Sequence, residues 1–123
     1  MREFKFRAWD IDNSAWIYSG HLKTEMSWFF NMLVPLNYVL EQYTGIKDLN
    51  GKEIYEGDII SWVESRWSWD HPAKYEKVTY KHLVEYYESA CEGYPYIGFD
   101  FPTLRCEVIG NIHENPELLD SPK

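Results

Sequence analysis

The sequence has little of what would indicate a metal centre, a disulfide-stapled fold or a membrane span. It has two cysteines, Cys91 and Cys106, in 123 residues, and no Cys-x-x-Cys spacing, so neither a thiolate zinc site nor any other metal site is predicted. Two reduced thiols of a cytosolic protein are favoured, although the sequence leaves a disulfide open. The most apolar stretch, residues 28–40, is too short and too polar to span a bilayer.

Positive charge is also scarce. Twelve Lys and Arg residues face twenty Asp and Glu, which gives a net charge of −8, and the bases are scattered along the chain. Because nucleic-acid coating depends on Lys and Arg displacing counterions from phosphates, the composition disfavours that role. A module with a local nucleic-acid-binding patch stays open as an alternative. No apolar run follows the first basic residues, so we predict no signal peptide and a soluble cytoplasmic protein.

Motifs for catalysis are missing as well. The patterns GxSxG, HExxH and GxxxxGK[ST] do not occur. His113 and Glu114 are adjacent, but consecutive side chains of a strand point to opposite faces, and no nucleophile motif lies beside them. We therefore interpret His113 as structural and predict no catalytic residue and no cofactor.

Four carboxylates crowd one region of turns: Asp48, Glu53, Glu56 and Asp58. Such a cluster can hold a divalent cation, but the spacing is not that of a calcium loop. Acids in this position more simply cap the N–H groups of turns. A metal-assisted hydrolase using these four residues is kept as an alternative function.

Aromatic residues, in contrast, are abundant. Six Trp, ten Tyr and six Phe make up 18% of the chain, and each ring buries roughly 150–250 Å². One small core cannot hold them all, so we expect some at the surface or at a subunit contact. Trp67, Trp69, His71 and Tyr75 lie between two predicted strands and are our candidate partner-binding residues. The alternative is that this hairpin folds back and closes one end of a barrel.

Glycines recur at even spacing in residues 42–60. Gly45, Gly51 and Gly57 are six residues apart, each beside a polar or acidic residue. Glycine adopts positive φ without steric penalty, so the spacing predicts tight turns that lead into a strand at Asp58. The adjacent Ile59 and Ile60 predict that both faces of this strand are buried.

Alternation of apolar and polar residues predicts the other strands. Residues 3–9 place Phe6 and Ala8 on one side and Lys5 and Arg7 on the other, as in a half-buried strand, and residues 15–18 form the returning arm of a hairpin. A short helix or turn before Pro35 and a strand over residues 38–43 follow.

Further along, alternation predicts strands over residues 77–88 and 104–112. Gly110 falls on the inward face of the last one and indicates a bulge or a close backbone approach. Five or more short strands with glycine turns favour a mainly β fold, a small barrel with at most short helices.

Three motifs resemble the YopX family of phage and prophage proteins. They are FRAWD (residues 6–10), QYTGIKDLNGKEIYEGDII (residues 42–60) and EVIGNIHENPELL (residues 107–119). The resemblance implies an SH3-like small β-barrel and no catalytic residues. The structural family-motif positions are Trp9, Gln42, Tyr43, Gly45, Gly51, Gly57, Asp58, Gly110, Asn111 and Pro116.

The resulting hypothesis is a single domain over residues 1–123. It consists of an N-terminal hairpin and variable segment (1–40), a barrel (41–119) and a frayed tail (120–123). We predict a phage- or prophage-encoded accessory protein without enzymatic activity. It binds a second copy of itself or a phage or host protein.

Overall fold

The computed structural model describes residues 5–20, 27–68, 74–86, 96–97 and 105–120. These ranges are mainly β, with two short helices. The strands are β1 (Phe6–Asp10), β2 (Ala15–Tyr18), β3 (Tyr38–Lys47), β4 (Glu53–Tyr55), β5 (Asp58–Ser68), β6 (Lys74–Leu83), β7 (Glu85–Tyr86), β8 (Tyr96–Ile97) and β9 (Glu107–Asn111), and the helices are α1 (Ser27–Leu33) and α2 (Glu117–Asp120).

The first sheet has the strand order β2-β1-β3-β4, and its neighbours are antiparallel. Ala8 lies opposite Ile17 on β2 and opposite Leu40 on β3. Because paired residues point to the same side of a sheet, these three share one face. Helix α1 covers that face and buries Phe29 and Leu33, four residues apart, against Ala8.

The second sheet has the order β6-β5-β9, and a further two-stranded sheet pairs β7 with β8. Ile59 pairs with Gly110 and Ile60 pairs with Val108, so Ile109 is an extra residue on β9. This confirms the bulge predicted at Gly110. A core cluster packs Ile54 of β4, in the first sheet, against Ile60, Val84 and Cys106, whose thiol is free and buried.

The antiparallel sheets curl into a half-barrel, which confirms the predicted small, mainly β fold. The SH3-like topology and the division of the chain at residues 40 and 119 stay predictions. Neither helix in the described ranges has the length and apolar character needed to cross a membrane.

The polar side of β1 differs from its prediction. The sequence predicts a half-buried strand with Lys5 and Arg7 on the outer side, but both are buried, with 5% and 4% exposed. The second face of the first sheet is also covered, because acidic partners there pair with both cations: Lys5 with Glu53 and Arg7 with Asp58.

The glycine-rich stretch also differs in one detail. Gly45, Gly51 and Gly57 all have positive φ, between 84° and 87°. Gly51 and Gly57 lie in turns as predicted, whereas Gly45 lies inside β3, where the register with β4 shifts between Tyr43 and Lys47. A positive-φ residue in a strand is a means of bending it, so β3 continues where a turn was expected.

The alternation predicted to residue 88 breaks at Val84. β6 ends at Leu83, and the Val84 N–H donates to the Asp58 carbonyl at 2.8 Å while its own carbonyl accepts from Gly57 N–H at 2.9 Å. Val84 is fully buried, but Tyr86 is 53% exposed. The C-terminal region holds a second difference, since helix α2 forms where the sequence predicted only the end of a strand and a frayed tail.

Candidate functional site

The predicted partner-binding hairpin lies at the far end of β5 and β6. Trp67 pairs with Tyr75 across these strands, which confirms that they extend into the predicted hairpin. The Tyr75 side chain is 73% exposed. Trp69 and His71 lie outside the described residues, as does the side chain of Trp67, so their role in binding stays a prediction.

The clustered carboxylates are engaged by protein groups. Asp48 accepts hydrogen bonds from the backbone N–H groups of Asn50, Lys52 and Val108 at 2.9–3.0 Å. Glu56 accepts from the Gln42 N–H at 2.8 Å. The contacts with Asn50 and Lys52 fit the predicted turn-capping role, whereas those with Val108 and Gln42 reach strands β9 and β3.

The two remaining acids are also occupied. Glu53 pairs with Lys5, and Asp58 accepts from the Tyr55 N–H at 2.8 Å and from Arg7. Among the described residues there is no group of three or more His, Cys, Asp and Glu side chains arranged to hold a metal ion.

A buried ionic network that the sequence did not predict joins the two sheets. The Arg7 guanidinium on β1 donates from Nε to Glu41 Oε1 at 2.9 Å and from Nη2 to Asp58 Oδ1 at 2.8 Å. It also donates to the carbonyl of Glu56 at 3.1 Å. All three charged side chains are at most 6% exposed. A buried cation between two carboxylates is tolerated only when such hydrogen bonds are complete.

His113 completes this network from the turn after β9. Its Nε2 forms a hydrogen bond with Glu41 Oε2 at 2.9 Å. Its ring stacks on Trp9 with centroids 5.4 Å apart and meets the edge of Trp16 at 5.5 Å. The imidazole therefore fills a space between aromatic rings and satisfies a carboxylate, which supports the structural interpretation of His113.

Aromatic rings also enclose the Arg7 guanidinium. It lies 4.1 Å from the centroid of the Trp16 ring and 4.8 Å from that of Tyr55, within the range of cation–π attraction. The Trp16 Nε1 donates to Glu114 Oε1 at 2.8 Å. That bond, followed by one from Asn111, lowers the pKa of Glu114.

Burial sets the protonation behaviour of the two buried acids. Removal from water raises the pKa of Glu41, opposed by Arg7 and His113. Burial likewise raises the pKa of Asp58, opposed by Arg7 and the Tyr55 N–H. The network therefore holds two carboxylates that bind protons more readily than free ones, and it stabilises the junction between the sheets.

A second surface feature lies on the opposite face of the first sheet. Helix α1 buries Phe29 and Leu33 but leaves both of its flanks in solvent. Tyr38 and Leu40 pair with Asp10 and Ala8 and so share the α1 side of the sheet. We call the following six side chains, each 37–77% exposed, the apolar helix surface: Trp28, Phe30, Met32, Val34, Tyr38 and Leu40.

The comparisons with known proteins agree with the motifs. The family model described as YopX protein matches residues 5–120, nearly the whole chain. The chain belongs to the YopX family. The crystal structure of protein EF1440 from Enterococcus faecalis is similar to this YopX chain, with a TM-score of 0.59 and 26% identity, covering 97% of this chain and 99% of that one. A comparison with curated proteins finds no match.

Several YopX motif residues build the junction network. Trp9 stacks on His113, and Asp58 pairs with Arg7. Gly57 has no room for a side chain, because a Cβ there would overlap the carboxylate of Glu41. The motif glycine thus has two roles, a positive φ and space for a buried acid.

Other YopX motif residues shape the chain after β9. The side-chain oxygen of Asn111 accepts from the N–H groups of His113 and Glu114 at 3.1 and 2.9 Å. A Cβ at Gly110 would lie 2.6 Å from Asn115 Oδ1, so side chains that follow β9 pack closely against the backbone of this glycine. Pro116 directly precedes α2 and accepts at its carbonyl from the Leu119 N–H at 3.2 Å.

Strand β3 contains two further motif residues, Gln42 and Tyr43. Tyr43 is buried, with its ring centroid 5.6 Å from that of Tyr55, and Gln42 pairs with Phe6. One signal for the missed network is present in FRAWD, where Arg7 lies between aromatic and apolar residues. No local signal indicates its partners, since Glu41 and Asp58 are 34 and 51 positions away.

Proposed function

We propose that this YopX chain is a phage- or prophage-encoded accessory protein that acts by binding a protein partner in the bacterial cytoplasm, without catalysis of its own. Its main support is the apolar helix surface. Patches of several hundred Å² of exposed apolar area on a soluble protein mark interaction sites more often than isolated exposed residues do. Aromatic residues and methionine are also enriched in protein interfaces.

The acidic and histidine side chains described above already bond to other groups of the protein, which agrees with a binding role rather than a catalytic one. Glu41, Asp58 and His113 bond to one another or to Arg7, and Asp48 bonds to three backbone N–H groups. A metal-assisted hydrolase would need such groups turned toward a substrate. No contact described above favours that alternative or a nucleic-acid-associated module over protein binding.

The β5–β6 hairpin is a second candidate contact. Tyr75 is 73% exposed, and Trp67 lies opposite it. The two surfaces are separate features of the fold, since one belongs to α1 and the first sheet and the other to the tip of the second sheet. Variants can therefore assign binding to one or the other.

Affinity capture from prophage-carrying bacteria tests the proposal. Tagged wild type is compared with Met32→Lys in the apolar helix surface and with the double variant Trp67→Ala plus Trp69→Ala in the hairpin. Leu49→Lys is the matched control, because Leu49 is 57% exposed and lies in a turn away from both surfaces. We expect a protein retained by wild type and by the control but lost with Met32→Lys.

Circular dichroism and thermal unfolding verify that each variant is folded. Loss of capture with the hairpin variant alone would move the binding site to the hairpin. Identical captured proteins for all four chains would contradict a binding role for either surface. A heat signal or thermal shift with Mg²⁺, Mn²⁺ or Zn²⁺ would instead support the hydrolase alternative.

A further inference from the structure

We propose, building on the protein-binding function above, that the partner of the apolar helix surface is a second copy of this chain. Two molecules associate with their α1 helices facing each other across a two-fold axis. In such an isologous contact the same patch serves both partners, so it must be complementary to itself. An apolar surface without charge meets that condition.

Charge is the first reason for choosing a second copy. Residues 27–40 contain no Asp, Glu, Lys or Arg, although the chain carries a net charge of −8. Two copies repel each other at most orientations, and the repulsion is smallest where neither presents a charge. A basic partner would instead be recognised by exposed carboxylates, and this segment supplies none.

The available area is the second reason. Six side chains that are 37–77% exposed, with roughly 150–250 Å² for each large ring, offer on the order of 500 Å² of apolar surface. Two copies together bury roughly 1,000 Å², slightly below the 1,200–2,000 Å² of stable specific interfaces. The polar neighbour Asn37 adds to the rim. This area fits a weak, reversible dimer.

The helix geometry places the axis of this dimer. Trp28 and Met32 are four residues apart and share one flank of α1. Phe30 lies on the other flank, and Val34 follows in the turn after Leu33. Asn31 lies between the flanks on the solvent side and is exposed. A two-fold axis close to Asn31 brings the solvent sides of the two α1 helices together, so that both flanks lie in the contact.

Sedimentation equilibrium over a wide concentration range tests the inference. We expect the average mass to rise from 14.7 kDa toward twice that value as the concentration increases. Met32→Lys and Val34→Lys should each weaken the association at least about tenfold, which corresponds to about 1.4 kcal/mol. Leu49→Lys should leave it unchanged. Val34 is 77% exposed, so this second variant guards against a folding defect at Met32.

Salt gives an independent readout. Association between two acidic copies through an uncharged surface should strengthen when added salt screens their repulsion. Oxidative crosslinking gives another readout. In the Asn31→Cys variant, the introduced cysteines of two copies should form a disulfide. In the Asn50→Cys variant, whose cysteine is exposed in a distant turn, they should not. The wild-type chain shows the background from its own cysteines.

Each outcome decides the question. A monomer at every concentration overturns the dimer, and the proposed function then depends on the capture experiment alone. Dimers that Met32→Lys and Val34→Lys leave intact overturn the assignment to this surface. Association that weakens with salt indicates ion pairs and overturns the uncharged contact.

Discussion

At the scale of single residues, Gly57 shows how backbone and side-chain constraints combine. Its φ is 86°, and a Cβ would overlap the Glu41 carboxylate. Gly51 has nearly the same φ, 84°, but nothing lies within 4 Å of a Cβ built there. The two glycines therefore separate the cost of a left-handed backbone from the cost of disturbing the network.

We predict that Gly51→Ala lowers the free energy of unfolding by about 1–2 kcal/mol, the cost of a left-handed conformation for an ordinary residue. Gly57→Ala should lower it by about 3–5 kcal/mol, because the methyl group also displaces Glu41 from Arg7 and His113, as when a buried ion pair is broken. Urea denaturation measures both. Equal losses would show that Glu41 moves aside without cost.

At the scale of elements, Asp48 joins the β3–β4 turn to β9. Its Oδ1 accepts from the N–H groups of Asn50 and Lys52, and its Oδ2 accepts from Val108. Burial acts to raise the pKa of Asp48, but these backbone hydrogen bonds outweigh it and lower the pKa below 3.8. One carboxylate thus fixes a turn and a strand that are 60 residues apart.

We predict that Asp48→Asn lowers the free energy of unfolding near neutral pH by about 1–3 kcal/mol. An amide keeps one acceptor oxygen, but its NH₂ group faces the Val108 N–H. Since the folded pKa is depressed, the contribution is present above pH 3.8 and is lost as the pH falls through the folded value.

Urea denaturation at several pH values measures this effect. The difference between wild type and Asp48→Asn should shrink on acidification. Asp12→Asn serves as the control, because Asp12 is exposed and should show little difference at any pH. A gap that stays constant down to pH values below 3.8 would contradict the role of the ionised form.

At the scale of the whole molecule, one buried network ties the two sheets together. Arg7 and Glu41 belong to the first sheet, Asp58 to the second, and His113 to the turn that follows β9. Burial raises the pKa of Glu41 above 4.5, although Arg7 and His113 oppose the shift. The contribution of Glu41 to the free energy of unfolding therefore changes with pH in the opposite direction to that of Asp48.

We predict that the stability difference between wild type and Glu41→Gln grows as the pH falls from neutral toward 4.5. A raised folded pKa gives a contribution that is fully present below the unfolded pKa and is lost as the pH rises through the folded one. Urea denaturation of both chains measures it. Glu107→Gln, an exposed position, should not show the trend, and a flat difference for Glu41→Gln would refute it.

Much of the β-sheet architecture could be predicted from local sequence. Alternation predicted β1 and much of β6, and the turn before residues 15–18 predicted β2. The glycine turns and the adjacent Ile59 and Ile60 predicted the start of β5, and both isoleucines are fully buried as expected. The bulge at Gly110 followed from a glycine on an inward face. These features depend on neighbours in the chain, so the pattern alone contains the information.

The candidate surfaces were harder to predict. The aromatic surplus indicated exposed rings, and Tyr75 is one of them. The apolar helix surface was missed, because a short helix with apolar residues all round looks like a buried one until its packing is known. Packing against Ala8 and its neighbours on the first sheet determines that Phe29 and Leu33 are inside.

The sequence by itself determined much of the strand pattern, the positive-φ glycines and membership of the YopX family, since each depends on residues close together in the chain. The tertiary structure alone decided that Arg7 is buried and that His113 meets Glu41, 72 positions away. It also decided which flanks of α1 face solvent. Long-range pairs depend on how the two sheets pack against each other, and local sequence patterns do not specify that packing.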